Sequence, residues 1–277
     1  MNTATLAEKA LQKNHWNLVE RGGLQLIESP LLGQQPALVH AFTTRHGGAT
    51  PAPYDSFNLA RHVDDDDLRK DAMSNRSLLC KALGLDASEL VVPSQRHTTN
   101  IYIVEVGVQP PSLLPEYDGI ATQSSHPLLL HFADCVPVMV FDTKQRVLSV
   151  MHAGWRGTAG GIVTKGVQLL VSHFGSNSKD MVAAIGPAIG SCCYETGKDV
   201  AEKLSHTIKH NDVFIKKVGE KTYPDLKAIN AMQLLEAGVT QVDVTDMCTA
   251  CRPEMFYSHR QSGGTTGRQG ALACILG

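Results

Sequence analysis

No stretch of this 277-residue chain approaches the roughly 18 consecutive apolar residues that a membrane-spanning helix needs. Met1 to Asn14 also lacks the apolar core of a secretory signal, so no membrane association and a cytoplasmic location are expected. A basic excess is missing as well. Twenty-five Lys and Arg stand against 27 Asp and Glu, for a formal net charge of -2, which leaves nothing to hold a polyanion. Nucleic acid is therefore not an expected partner, and the conspicuous charge run, Asp64 to Asp67, is acidic. Pro/Gly/Ser-rich linkers and internal repeats are absent too. The 277 residues read as one domain, with residues 1–23 as an N-terminal lead-in carrying a short helical pattern (Leu6, Ala10, Leu11) before Gly22-Gly23. Seven scattered cysteines, an odd number, suit reduced thiols better than a disulfide framework.

What is present is a series of buried-strand patterns in the second half. Leu128 to Phe132, Val136 to Phe141 and Val147 to Met151 are nearly continuous apolar runs, as strands covered on both faces require. Asp142 to Gln145 reads as the hairpin turn between the last two. Ile101 to Val106, Met181 to Ile185, Val242 to Val244 and Ala271 to Ile275 read as further strands. Ala159 to Phe174 has apolar residues at helical spacing and stops at Gly175. Asp225 caps an amphipathic helix through Leu226, Ile229, Met232 and Leu235 that closes at Gly238. Alternating helices and strands with hairpin neighbours predict an α/β fold of mixed sheets with helices packed outside.

Three candidate ligands stand where strands meet turns. His97 precedes the strand at Ile101, Cys135 lies between two buried strands, and His152 follows a strand and precedes Ala153-Gly154-Trp155-Arg156-Gly157. Two imidazoles and a thiolate are donors that a borderline-soft divalent ion prefers, and three protein ligands leave one tetrahedral position open to water or substrate. Their separations, 38 and 17 residues, carry no metal signature by themselves.

Their neighbours do. Ala133-Asp134-Cys135-Val136-Pro137, His152-Ala153-Gly154-Trp155-Arg156-Gly157, Ile185-Gly186-Pro187 with Cys192-Cys193-Tyr194-Glu195, and Ser258-His259-Arg260 with Thr266-Gly267-Arg268 occur in order. Upstream stand Thr44-Arg45-His46-Gly47-Gly48, Pro53 to Leu59 and Gln95-Arg96-His97. This succession resembles the laccase-domain (YfiH-like) family, also called the polyphenol oxidase and purine nucleoside phosphorylase family, from about Phe42 onward. The resemblance implies a single-domain layered α/β/β/α sandwich and a metal, zinc with copper as the alternative, bound by His97, Cys135 and His152. The chain departs from the family pattern at Phe132, Asp64 and Thr98, where a small hydroxyl residue, a glycine and a glycine are usual.

Around the trio, Asp134 is a candidate to orient a ligand or carry a proton, and His259 a candidate acid or base. Arg45, Arg156 and Arg260 are candidates to grip an anion, because guanidinium forks match phosphate oxygens, and Asn58 is a further substrate-binding candidate. Cys248-Thr249-Ala250-Cys251 has zinc-knuckle or redox spacing but no second Cys-x-x-Cys to complete it, and vicinal Cys192-Cys193 read as buried thiols. His206 and His210 stand four apart beside lysines and read as a solvated helix face.

Three activities follow from the resemblance. Multicopper oxidation relies on His-x-His pairs, and no two histidines here are two apart. A single copper on the trio, with Met151 as a nearby thioether, is the remaining route to a polyphenol oxidase. Purine nucleoside phosphorolysis and adenosine deamination fit a three-ligand ion with one open position, and make a nucleoside and phosphate the expected partners of a monomer or homodimer. A hydrolase or amidase acting on cell-wall precursors, with Cys135 as nucleophile and His152 as base, is the competing class.

Overall fold

The computed structural model describes residues 3–60, 65–111, 113–207 and 213–277. Two sheets face each other. The first runs in the order β1 (Asn17–Arg21), β2 (Leu24–Glu28), β3 (Leu38–Thr43), β13 (Gln269–Ile275), β6 (Leu128–Phe132). The second runs β12 (Gln241–Val244), β9 (Met181–Ile185), β7 (Val136–Asp142), β8 (Val147–Ala153), β5 (Gly119–Thr122), β4 (Ile101–Val104). Its ends are parallel pairs, β12 with β9 and β4 with β5, and its centre is antiparallel. A small hairpin, β10 (Ile215–Val218) with β11 (Lys221–Pro224), stands apart from both.

Alternation along the strands builds the layers. Met139 and Phe141 of β7, Leu148 and Val150 of β8, and Val182 and Ala184 of β9 point at the first sheet, where they meet Leu128, Leu130, Ala271 and Ala273. Their neighbours Val138, Val140, Met151, Ala183 and Ile185 point outward, against α4 (Ile162–Phe174) and α6 (Leu226–Glu236). On the far side of the first sheet, Leu26, Ala41, Leu129 and Leu272 pack on Leu79 and Cys80 of α2 (Asp66–Ala82). The result is the expected α/β/β/α sandwich. The acidic run marks the start of α2: Asp65 caps it by accepting from the amides of Asp67 and Leu68, with Asp66 and Asp67 in the first turn. Asp64 and His210 lie outside the described residues.

Three local readings change. The segment before Phe174 is two helices, α3 (Trp155–Ala159) and α4, because Gly161 takes φ 71°, a left-handed conformation that interrupts the helix. The helix after Asp225 is buried on all sides instead of amphipathic. Its polar residues Lys227, Asn230 and Gln233 reach the carbonyls of Thr245, Met247 and Thr158 and the Thr158 hydroxyl. The N-terminal segment is woven into the fold. The helix α1 (Thr3–Leu11) packs on α6, β1 and β2 form the sheet edge, and Trp16 is fully buried.

Asp243 in β12 holds this end together, accepting from the Trp16 indole (2.9 Å), the Asn14 amide (3.0 Å), the Ser29 hydroxyl (2.6 Å) and the Leu31 amide (3.3 Å). Asp243→Ala strands the buried Trp16 and Ser29 donors, each costing about 1–3 kcal/mol. The expected loss is about 3 kcal/mol or more, read as a lower urea midpoint at an unchanged slope.

Candidate functional site

Each candidate ligand owes its position to a strand end. β8 delivers His152 into the space between the sheets, its ring 5.3 Å from that of Phe132. The tight connection from β6 to β7 carries Asp134 and Cys135, and Asp134 adopts φ 87°. His97 sits in the loop before β4 at φ 60°. Left-handed backbone at a non-glycine residue costs about 1–3 kcal/mol and needs support.

Asp118, which the sequence did not single out, supplies it for His97. This fully buried carboxylate accepts from the backbone amides of Arg96, His97 and Thr98 at 3.0, 3.0 and 2.7 Å and from the Thr98 hydroxyl at 2.9 Å. Its Oδ1 also lies 2.8 Å from His152 Nδ1, so the carboxylate holds that ring with Nε2 turned away from it. The Thr98 hydroxyl adds a donor to the same clamp.

The donor atoms of His97, Cys135 and His152 lie within 4.8 Å of one another, with Cys135 Sγ 3.8 Å from His97 Nε2. Tetrahedral ligands at about 2.0–2.3 Å from an ion are roughly 3.3–3.8 Å apart, so the spacing fits a single transition metal. Burial raises the Cys135 thiol, but His152 and His97 outweigh it and bring it down to about 6. Burial disfavours charge on His152, yet Cys135 and Asp118 raise it to about 9. Burial likewise opposes charge on Asp118, while His152 and the loop amides draw it down to about 2. Without an ion this favours a Cys135 thiolate beside a cationic His152, and a soft cation would take the place of the His152 proton, since ligation needs thiolate and neutral imidazole.

The surrounding loops are tied to Asp134. Its carboxylate accepts from the Thr249 hydroxyl and the Arg260 amide, both at 2.7 Å, and its carbonyl accepts from Ile189. Arg260 donates to the carbonyls of Cys193 and Glu195 and lies over the Tyr194 ring. Tyr194 is itself raised by burial and then by Cys135. Arg156 is exposed, 4.3 Å over the Trp155 ring. Arg45 is held by the Asp55 carboxylate and the carbonyls of Asp55 and Pro253, over Tyr257. Asn58 is fully buried, donating to Ala60 and accepting from the amides of Ala60 and Arg268. His259 is exposed, and its carbonyl accepts from Gly264. Arg268, part of a quoted motif but not singled out, is lowered by burial, with Cys135 and Asp134 opposing that effect. Met151 does not join the trio: strand alternation turns its sulfur toward Gly166 of α4, opposite to His152.

The family model described as "Multi-copper polyphenol oxidoreductase laccase" matches residues 39–276. The chain belongs to this laccase family. Among its relatives, purine nucleoside phosphorylase YlmD of Geobacillus stearothermophilus is 37% identical over 259 residues, covering 90% of this chain and 92% of the relative. The protein of the same name from Bacillus subtilis is 32% identical, covering 83% and 86%. The crystal structure of the Geobacillus stearothermophilus YlmD superposes with a TM-score of 0.87 at 33% identity, over 95% of this chain and 99% of that one. The Bacillus licheniformis hypothetical protein YfiH gives 0.86 at 31% identity, over 94% and 98%. Among the described residues of this laccase-family chain, no helix is long and apolar enough to cross a membrane.

Gly154 explains one family motif physically. A Cβ there would stand 2.9 Å from His97 Cδ2 and 3.0 Å from Cys135 Sγ, although its φ of -66° is open to any residue. Gly154→Ala is therefore expected to fold with little change in thermal unfolding while lowering the trio's affinity for added zinc. Asp118→Asn, which weakens the support behind His152, is expected to lower it about 10- to 100-fold. Competition with a chromophoric chelator checks both.

Proposed function

We propose that the chain is a metal-dependent purine nucleoside phosphorylase that uses adenosine and inosine, with methylthioadenosine as a further substrate, and that it also deaminates adenosine. The observation that supports this reading most is the three-donor cluster of His97, Cys135 and His152, in a chain whose relatives carry the phosphorylase name. Zinc is the ion assigned to it, and when bound it supplies Lewis acidity at one open position.

Phosphorolysis joins a phosphate oxygen to the anomeric carbon and breaks the bond from that carbon to the purine nitrogen. Negative charge then builds on the departing base, and an anion must be held on the other side of the sugar. Arg260 and Arg45 are the cations assigned to phosphate. Arg156 is assigned to the substrate at the rim. Asn58 contributes by fixing the Arg268 backbone, and Asp134 by fixing that of Arg260, since the carboxylate oxygens of Asp134 accept from Thr249 and Arg260. His259 is left as the exposed group that carries a proton to or from the base.

The test follows adenosine and inosine with and without phosphate. Phosphate-dependent release of adenine and hypoxanthine is expected, reduced at least about a hundredfold by chelation and by His97→Ala. Arg260→Ala is expected to raise KM for phosphate roughly 10- to 100-fold, the worth of a charge-assisted hydrogen bond, with a smaller effect on KM for nucleoside. Turnover that survives complete metal removal but stops on alkylation of Cys135 would replace this reading with a cysteine hydrolase. Phenol oxidation after copper loading, without nucleoside turnover, would replace it with an oxidase.

A further inference from the structure

A second cluster lies beside the loops just described. Cys248-x-x-Cys251 lacks a partner pair in the sequence, but the fold supplies one in a form that spacing rules do not anticipate. The vicinal Cys192 and Cys193 come against it from 59 and 58 residues away. All four sulfurs lie within 4.8 Å of one another, and Cys251 Sγ is 3.4 Å from that of Cys192 and 3.3 Å from that of Cys193. A disulfide requires about 2.05 Å, whereas four thiolates around one zinc at about 2.3 Å are roughly 3.8 Å apart.

The backbone is shaped for this convergence. Cys193 and Tyr194 both donate their amides to the Gly190 carbonyl at 3.0 Å, and this turn brings two adjacent cysteines to one centre. A parallel bridge between Ala188 and Cys248, with the Thr249 amide on the Ala188 carbonyl at 3.1 Å, aligns the two segments. The Gly190 amide donates to Cys248 Sγ at 3.2 Å. A Cβ at Gly190 would stand 3.0 Å from Cys192 Sγ and 3.5 Å from Cys248 Sγ, so the approach depends on glycine. Contrary to the sequence reading, Cys192 is exposed and Cys193 half-buried. The four thiols therefore form a rim cluster that a cation can reach.

We propose that Cys192, Cys193, Cys248 and Cys251 bind a zinc ion in a closed four-thiolate site, separate from the His97, Cys135 and His152 cluster. With all four positions taken by protein, the ion is structural. It links the segment carrying Tyr194 and Glu195 to the segment running from Thr249 to Arg260. Both segments are bonded to Asp134 or to each other, through Ile189 to the Asp134 carbonyl, Thr249 to its carboxylate, and Arg260 to the carbonyls of Cys193 and Glu195. The second ion thereby sets where Arg260 stands.

The experiment uses the full chain purified without oxygen from zinc-supplemented culture and analysed for metal after desalting. The variant His97→Ala with Cys135→Ser is expected to retain about one zinc per chain, and further substitution of Cys192→Ser and Cys251→Ser to remove it. A zinc-free first variant that remains folded by circular dichroism overturns the proposal. If the fourfold variant does not fold, cobalt(II) exchange into the first variant decides. Intense sulfur-to-cobalt charge transfer with tetrahedral d–d bands supports a four-thiolate site, and their absence refutes it. A disulfide from Cys251 to Cys192 or Cys193 in the anaerobically purified protein also refutes it, making the cluster a redox pair.

Discussion

One buried carboxylate, Asp118, is shared by the loop that presents His97 and the strand that ends in His152. Three backbone amides and a hydroxyl point at it from one side and an imidazole from the other. Every one of these bonds is strongest with the carboxylate ionised, and the charge it carries in turn holds a positive imidazole next to a thiolate. The left-handed turn at His97, the orientation of His152 and the state of Cys135 are thus one arrangement with a common anchor. Moving the anchor changes all three.

The sandwich itself was legible where the sequence is least ambiguous. The runs from Leu128 to Met151 are apolar on consecutive residues because β6, β7 and β8 are covered on both faces, so their limits could be read within a residue or two. The edge strands β1 and β4 are short and partly exposed, and neither alternation nor continuity marks them clearly. Ordered motifs identified the trio. Asp118 carries no comparable signal, since an aspartate before a glycine at a strand start is equally a turn residue. The four-cysteine cluster was hidden for another reason. Spacing rules describe ligands from two short knuckles, and here one pair is vicinal, brought to the other by a turn around Gly190.

Asp134 plays for the outer loops the part that Asp118 plays for the inner ones. It lies next to Cys135 in the chain, yet its oxygens face the segments around Thr249 and Arg260. The strand ends place the trio, and hydrogen bonds from a neighbouring aspartate place the rim. Arg45 and Arg260 each donate to backbone carbonyls and so help hold the loops that carry them.

The position of β13 has a consequence for how the chain is made. Gln269–Ile275 lies between β3 and β6, pairing Ala271 with Phe42 on one side and with Leu130 on the other. During synthesis, β3 and β6 therefore wait as two open, apolar strand edges until more than a hundred further residues have been added. Contacts of such sequence separation form slowly, and unpaired edges invite intermolecular pairing. The newborn protein would be most dependent on chaperones in the interval before its last strand closes the sheet.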